Sequence, residues 1–290
     1  MSKVEVFPQP EVAVPADAEV GEGPVFDHRT GRLCWVDITQ GMVFETELAT
    51  GEQHSAHFDT MVGAIAPRAT GDGFAVAVSD GFGFVHGDSL VLVDEALPEP
   101  HRRMNDAKCD SAGRLWAGST HLEFVPGEGA LHCWDGERPS EQKAKGLILP
   151  NGLGWSPDDR TMYLADSFAQ TLLRAEFDAT DGEVGEFTEL CRVEGGFPDG
   201  LAVDADGCLW VAIWDGAEVR RFSPAGELIG VVPMPVGKPS SCAFADDGTL
   251  YITSARAGLT AEELALEPHA GSVFALPTTT RGMPVRAFRG

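Results

Sequence analysis

FPDGLAVDADGCLWVAIW, residues 197–214, contains two apolar strand-like runs separated by the turn sequence Asp206-Gly207. Five other segments of the chain have a similar turn followed by an apolar run. The first large apolar residue after each turn recurs at intervals of 41, 41, 47, 47 and 41 residues; these residues are Leu33, Phe74, Leu115, Met162, Leu209 and Leu250. Units of this length with four short strands each are typical of a β-propeller. The sequence therefore predicts an all-β fold, a six-bladed β-propeller with four-stranded blades.

The two ends of the chain are expected to meet in the last blade. Residues 4–7 and 11–14 are strand-like, and we expect this N-terminal segment to supply the strand that the sixth unit lacks, which closes the ring. A short helix is predicted in residues 258–264, where Thr260 and Glu263 form a capping box. The alternative, a parallel α/β fold, requires longer amphipathic helices between the strands, and the sequence has none. We expect residues 1–290 to form a single domain.

The composition argues against several classes of partner. The chain has 45 acidic and 21 basic side chains, and its formal net charge of −24 repels nucleic acid phosphates and anionic lipids. No apolar run approaches the roughly 18 residues of a membrane span. Residues 1–5 lack the basic start and apolar run of a signal peptide. We therefore expect a cytoplasmic protein that binds neither nucleic acid nor membrane. The six cysteines never occur as Cys-x-x-Cys and are expected to be reduced core thiols.

One position in the repeat, here called the register position, carries polar residues in most units. It lies ten or eleven residues before the apolar residue that defines each unit, and its six residues are Glu22, Gly63, Asn105, Asn151, Asp199 and Ser240. The first strand of each propeller blade lines the central channel, so a fixed position in every unit lies at one height around the axis. Two carboxylates and an amide that meet there form an oxygen-rich, negative site suited to Ca²⁺, Mg²⁺ or Mn²⁺.

Each of these residues also has a simpler interpretation. Asn151-Gly152 and Asp199-Gly200 are common turn dipeptides, but the turns of the same hairpins follow about seven residues later, which favours a functional role. Glutamate is a poor turn residue, so a turn does not explain Glu22. The alternative to a functional role for Glu22 is a solvated surface position. Arg103 is suited either to hold a substrate oxygen or to pair with a surface acid. The chain has no Gly-x-Ser-x-Gly or His-Glu-x-x-His motif, which favours metal-activated chemistry in any hydrolytic reaction.

Five longer segments carry a resemblance to a known family. They are GEGPVFDHRTGRLCWVDI (21–38), RMNDAKCDSAGRLWAGS (103–119), LPNGLGWSPDDRTMYLADS (149–167), FPDGLAVDADGCLWVAIW (197–214) and KPSSCAFADDGTLYITSAR (238–256). These segments resemble the regucalcin and gluconolactonase family of six-bladed propellers, and the resemblance extends from about Glu19 to Phe288. The site residues that it implies are the metal ligands Glu22, Asn151 and Asp199, of which Asp199 is also the general base, and the substrate-binding residues Arg103, Asn105 and Glu123. Glu123 lies in residues 121–129, a segment that varies among such proteins.

The resemblance implies hydrolysis of a sugar-derived aldonolactone, of the gluconolactone, xylonolactone or arabinonolactone type, to the aldonic acid. One divalent metal ion is expected as cofactor, with Ca²⁺ preferred and Mg²⁺, Mn²⁺, Fe²⁺ or Zn²⁺ as alternatives. The expected partner is a small-molecule sugar lactone, and the expected state is a monomer. Three other functions stay open: a metal-dependent phosphotriesterase or other esterase with the same oxygen ligands, a non-catalytic propeller that binds a protein, and a non-catalytic calcium-binding propeller.

Overall fold

The computed structural model describes residues 4–290 and shows six small sheets around a central channel. Two strands precede the first blade: β1 (Glu5–Val6) and β2 (Glu11–Val14). The first blade contains β3 (Gly21–Asp27), β4 (Arg32–Asp37), β5 (Met42–Glu47) and β6 (Gln53–His57). The second contains β7 (Val62–Pro67), β8 (Phe74–Val78), β9 (Gly81–His86) and β10 (Ser89–Asp94). The third contains β11 (Arg102–Cys109), β12 (Leu115–His121), β13 (Gly129–Trp134) and β14 (Glu141–Leu147).

The remaining three blades follow the same order. The fourth contains β15 (Pro150–Trp155), β16 (Thr161–Asp166) and β17 (Thr171–Asp178), and its outer strand is divided into β18 (Glu183–Val184) and β19 (Thr188–Arg192). The fifth contains β20 (Phe197–Val203), β21 (Leu209–Trp214), β22 (Glu218–Phe222) and β23 (Leu228–Pro233). The sixth contains β24 (Pro239–Phe244), β25 (Thr249–Ser254), the helix α1 (Ala261–Leu266) as an insertion, and β26 (Val273–Pro277). The helix begins after Thr260 with the predicted capping box to Glu263.

The first strand of each blade forms the wall of the channel. The six inner strands β3, β7, β11, β15, β20 and β24 contact one another in this order, and β24 returns to β3. The apolar residues that define the repeat lie at the start of the second strands, where each is at most 4 % exposed. These second strands pack between neighbouring blades, because the alternation of a strand directs its side chains to both faces. The predicted six-bladed, all-β propeller is confirmed.

The ring closes through one of the two predicted N-terminal segments. Strand β2 pairs antiparallel with β26 and becomes the outer strand of the sixth blade, as predicted for residues 11–14. Strand β1 instead pairs in parallel with β23 of the fifth blade, so residues 4–7 do not contribute to the last blade. The physical reason is the packing of Phe7 against Trp210, with ring centroids 5.0 Å apart. Gly230 leaves room for this ring, because a Cβ there would lie 2.8 Å from Phe7.

Residues 282–290, here called the C-terminal strap, lie across the end of the channel opposite the strand beginnings. Residues 283–286 line a cavity of about 110 Å³ together with inner-strand residues from all six blades. The strap is held by backbone hydrogen bonds to three blades, from Met283 N–H to Val203, from Phe288 N–H to Pro67 and from Arg289 N–H to Gly113. The Phe288 ring is fully buried and stacks on Trp134 with centroids 4.9 Å apart. The strap therefore ties the second, third and fifth blades together.

We expect Phe288→Ala to lower the free energy of unfolding by about 3–5 kcal/mol, because it removes a buried ring that fills the space beside Trp134. Urea unfolding followed by tryptophan fluorescence measures the change. The control is Leu266→Ala, since Leu266 is 83 % exposed and its truncation should change stability by about 0.5 kcal/mol or less. Equal midpoints for the two variants would show that the strap adds no stability.

His132 is a buried histidine in β13 that shares a 2.9 Å hydrogen bond with the Ser119 hydroxyl. Burial, together with the charge of the nearby Arg102, lowers its pKa to about 4, and the charge of Asp94 partly opposes this decrease. In the unfolded chain a histidine has a pKa of about 6.5. The unfolded state therefore binds more protons than the folded state between these values, and stability falls as the pH decreases through this window.

We expect the free energy of unfolding to fall by roughly 3 kcal/mol between pH 7 and pH 4 through His132 alone. The His132→Gln variant retains a hydrogen-bonding side chain for Ser119 but cannot titrate, so its stability should fall less over the same range. Urea unfolding at a series of pH values gives both curves. Parallel curves for the two proteins would contradict the assignment of this titration to His132.

The cysteines agree with the expectation of reduced core thiols. The six cysteines are all unpaired, five are buried, and Cys191 is half-buried. The predicted core thiols are thus confirmed for five positions. Across residues 4–290 no helix has the length and apolar character needed to cross a membrane.

Candidate active site

The N-terminal ends of the inner strands surround a cavity of about 450 Å³. Five of the six predicted site residues line it: Glu22, Arg103, Asn105, Asn151 and Asp199. These residues come from four blades, on β3, β11, β15 and β20. All of them except Arg103 are at most 5 % exposed. The ring thus brings sequence-distant polar groups together in a buried position, as the register predicts.

Each inner strand is irregular at the register position. In every blade the register of pairing between the first and second strands shifts once. In blade order, the shift lies between Glu22 and Val25, Val62 and Ala64, Met104 and Ala107, Pro150 and Leu153, Pro198 and Leu201, and Pro239 and Ser241. Such a bulge places an extra residue in one strand and changes the direction of its side chain. The bulges occur at one height in all six blades, so they direct the register residues to a common place.

Gly152 and Gly200, which follow Asn151 and Asp199, lie within strands and not in turns. A Cβ on Gly152 would lie 2.4 Å from the Leu201 nitrogen, and a Cβ on Gly200 would lie 2.0 Å from Oγ of Ser241. Only glycine permits this close approach of one inner strand to the next. The Asn-Gly and Asp-Gly pairs are therefore explained by strand packing, and the turn interpretation is wrong for both.

We expect Gly152→Ala to lower the free energy of unfolding by about 1–3 kcal/mol, because the added methyl group overlaps the backbone of β20 and must displace it. The control is Gly185→Ala, since a Cβ at Gly185 would meet its nearest atom at an ordinary 3.6 Å. Thermal and urea unfolding of both variants give the comparison. An unchanged stability of Gly152→Ala would contradict the close packing of the inner strands.

Asn151 is positioned by its amide nitrogen, which leaves its oxygen available. Nδ2 donates hydrogen bonds to Oδ1 of Asp199 and, over 3.2 Å, to Oγ of Ser167. The Oδ1 atom of Asn151 is buried, and no group of residues 4–290 donates a hydrogen bond to it. A buried oxygen without a partner costs about 1–3 kcal/mol. This oxygen is therefore placed to accept a ligand.

Burial raises the pKa of each of the three carboxyl groups at the site. Burial raises the pKa of Glu22 to about 8, and the charge of Asp106 contributes to this increase. Burial and the charges of Glu22 and Asp106 raise the pKa of Asp199 well above its usual range. Burial also raises the pKa of Asp106. Arg103 balances this charge only in part, and burial lowers its own pKa to about 10. The site thus favours an additional positive charge.

Arg103 and Asn105 form a fixed pair on the same wall. The Arg103 Nη1 donates to Oδ1 of Asn105 over 2.7 Å and to the carbonyl of Met104 over 3.0 Å. Nδ2 of Asn105 donates to the carbonyl of Pro150 over 3.1 Å. Arg103 therefore lies in the cavity wall and not on the outer surface, and its guanidinium is held in one orientation.

Two aspartates at the ends of second strands support the metal-ligand candidates. Asp166 accepts hydrogen bonds from the N–H groups of Ile148 and Leu149, over 3.0 and 2.9 Å, just before Asn151. Asp37 does the same for Glu19 and Val20, over 2.7 and 3.1 Å, just before Glu22. In both blades these hydrogen bonds hold the backbone just before the inner strand that carries the site residue. We did not predict these hydrogen bonds from the sequence, although an aspartate is the last residue of both β4 (WVD, residues 35–37) and β16 (LAD, residues 164–166).

Sequence reasoning also missed Asp106 and Ser167. Asp106 directly follows Asn105 and is 4 % exposed, yet the register argument considers one residue per blade. Ser167 follows Asp166 and contacts Asn151, and its only sequence indication is its place at the end of a second strand. Glu123 is exposed and lies outside the cavity lining, which includes its neighbours Leu122 and Phe124 instead. A substrate contact by Glu123 stays a prediction.

The donor set fits a hard divalent cation. Within the described chain, no three or more histidine, cysteine or acidic side chains are grouped as a metal site. The predicted ligands are two carboxylates and one amide, which is a different set. All three supply oxygen, which Ca²⁺ and Mg²⁺ prefer. The unpartnered Oδ1 of Asn151 and the crowded carboxylates are both features that a bound cation would satisfy.

The fold and the site define a class: a six-bladed propeller with a carboxylate–amide site at one end of its channel. The chain belongs to the SMP-30/Gluconolactonase/LRE-like family, whose model matches residues 20–256. It is 33 % identical to regucalcin of Danio rerio over the full length of both chains. It is 33 % identical to 6-deoxy-6-sulfogluconolactonase of Pseudomonas putida, covering 93 % of this chain and 95 % of that one. A solved calcium-binding protein, regucalcin from Agrobacterium tumefaciens, superimposes with a TM-score of 0.94 at 26 % identity, over 99 % of this chain and 100 % of that one.

Proposed function

We propose that this protein is a metal-dependent lactonase that hydrolyses a sugar-derived aldonolactone to the open aldonic acid. The observation that carries the proposal is the buried, unpartnered oxygen of Asn151 in a cavity that is also lined by Glu22 and Asp199, two buried carboxyl groups with raised pKa values. Membership of a family that includes gluconolactonases, and similarity to a relative named as a sulfogluconolactonase, support a lactone as substrate. The similar calcium-binding regucalcin supports Ca²⁺ as the metal.

The ligands proposed for the cation are Glu22, Asn151 and Asp199. When bound, a divalent cation supplies Lewis acidity that polarises the lactone carbonyl. Asp199 accepts a proton from the water that attacks the carbonyl carbon, and it returns this proton to the ring oxygen as the ester bond breaks. Burial raises the pKa of Asp199, and a carboxylate with a higher pKa is a stronger base.

Arg103 and Asn105 orient the substrate. Their mutual hydrogen bond holds both side chains in place before the substrate arrives, so little conformational freedom is lost on binding. The guanidinium donates to oxygens of the lactone, and its positive charge suits an oxygen that becomes negative in the transition state. Glu123 reaches the substrate only if residues 121–129 move, because its side chain lies outside the cavity. We further propose that the protein acts in the cytoplasm as a monomer.

The test is pH-stat hydrolysis of a panel of aldonolactones by protein stripped with a chelator, with Ca²⁺, Mg²⁺, Mn²⁺, Fe²⁺ or Zn²⁺ added back. We expect activity to return with a cation, and Asp199→Asn to lower kcat by about 10²-fold or more. A cation at 100 times its Kd should also stabilise the wild-type fold by about 2.7 kcal/mol, seen as a higher Tm.

The matched control is Asp206→Asn, which exchanges an exposed aspartate in a turn of the same blade. It should retain wild-type activity and the wild-type response to cations. Lactone opening by Asp199→Asn at the wild-type rate would overturn the mechanism. Turnover of an organophosphate triester without turnover of any lactone would instead support a phosphotriesterase.

A further inference from the structure

A second position of the repeat, here called the strand-end position, also contributes to the active-site cavity. It lies five residues after the apolar residue that defines each unit and within one residue of the end of the second strand. In blade order its residues are Ile38, Ser79, Thr120, Ser167, Trp214 and Ala255. The members in the first, fourth and fifth blades line the cavity. The same three blades supply the proposed cation ligands Glu22, Asn151 and Asp199.

The chemistry of the strand-end residue differs with the ligand in its blade. The first and fifth blades carry carboxyl ligands, and their strand-end residues, Ile38 and Trp214, have no hydrogen-bond acceptor in the side chain. The fourth blade carries the amide ligand Asn151, and its strand-end residue Ser167 has a hydroxyl oxygen. An ionised carboxylate only accepts hydrogen bonds, whereas a buried amide has two N–H hydrogens that need acceptors. The acceptor is thus present in the one blade of the three whose ligand needs it.

The Ser167 hydroxyl takes one of the two amide hydrogens of Asn151. Nδ2 of Asn151 donates to Oγ of Ser167 over 3.2 Å and to Oδ1 of Asp199. Both hydrogens of the nitrogen are therefore used. Rotation of the amide by 180° would place its oxygen against the Asp199 carboxylate, where neither atom has a hydrogen to donate. The two hydrogen bonds thus keep Oδ1 on the side where no group of residues 4–290 donates to it.

Ser167 itself is held in place by the backbone. It is 4 % exposed, its N–H donates to the carbonyl of Leu149 over 3.0 Å, and its carbonyl accepts from the N–H of Gln170 over 2.9 Å. The preceding residue, Asp166, accepts a hydrogen bond from the N–H of Leu149 over 2.9 Å. The strand-end segment and the backbone just before Asn151 are therefore tied together. The hydroxyl has a fixed position relative to the amide before any ligand binds.

We propose that Ser167 is a positioning residue of the cation site, whose hydroxyl oxygen holds the Asn151 amide so that Oδ1 is directed at the cation. This role rests on the cation ligands of the proposed function and adds a residue that acts on the cation through Asn151. Without the hydroxyl, one amide hydrogen loses its acceptor and the amide plane is free to rotate. The cation then has to fix that orientation itself, which weakens its binding.

The test measures the Kd of Ca²⁺, Mg²⁺ and Mn²⁺ by isothermal titration calorimetry on chelator-stripped protein without a lactone. We expect Ser167→Ala to raise the Kd of the tightest-binding cation about tenfold. Ser167→Thr and Ser167→Val form a matched pair of nearly equal shape, in which only the threonine variant keeps the hydroxyl. The threonine variant should bind the cation nearly as tightly as the wild type, and the valine variant should resemble Ser167→Ala.

The control is Ser272→Ala, which removes another buried serine hydroxyl. Ser272 is 2 % exposed, and its Oγ is hydrogen-bonded to the backbone of Ala16, outside the cavity. This variant should lose stability without a change in the Kd of the cation. Thermal unfolding of the cation-free proteins separates the two effects, because a merely structural role of Ser167 would lower Tm and leave the Kd unchanged.

A double-mutant cycle tests whether Ser167 acts through the amide. The Asn151→Asp variant keeps oxygens for the cation but has no N–H to orient, so adding Ser167→Ala to it should hardly change the Kd. Equal affinities of the wild type, Ser167→Ala and Ser167→Val would overturn the positioning role, and so would a loss that persists in full beside Asn151→Asp. In both cases cation binding and lactone opening by the wild type would still support the lactonase. Absence of cation binding by the wild type would overturn its metal dependence and the role of Ser167 together.

Discussion

The close packing of six inner strands around one axis is the constraint on which the rest of the structure depends. Adjacent inner strands approach so closely that Gly152 and Gly200 have no room for a side chain. The bulges at the same height then direct the register residues toward the channel mouth. Backbone packing and site geometry are thus one feature of the molecule, since the glycine that permits contact directly follows the residue that carries the chemistry.

This packing produces an electrostatic imbalance. The carboxylates of Glu22, Asp106 and Asp199 are each buried, and burial is the main cause that raises the pKa of each one. The fold holds these groups together against their mutual repulsion, so part of its stability is used to maintain the site. A cation that binds there relieves the repulsion, and its binding free energy adds directly to the stability of the folded state.

The sequence predicted the blades and most of the site because both depend on spacing. Apolar residues that follow a turn recur at 41- and 47-residue intervals and fix the repeat, and the repeat places Glu22, Asn105, Asn151 and Asp199 at one height. Three features were not predictable, because tertiary contacts decide them. The attachment of β1 to the fifth blade depends on Phe7, and the strap depends on the space that Phe288 fills. The direction of Glu123 depends on the left-handed turn at Phe124.

The sixth blade is built from two distant parts of the sequence, and this has a consequence for folding. Val14 of β2 pairs with Val273 of β26, which lies 259 residues later in the sequence (273 − 14). Contacts of such long sequence separation form slowly, because most of the chain must be ordered before the ends can meet. Until then the unpaired edges of β2 and β26 are exposed to pairing with other chains. The propeller is therefore open to misassembly until β2 has paired with β26.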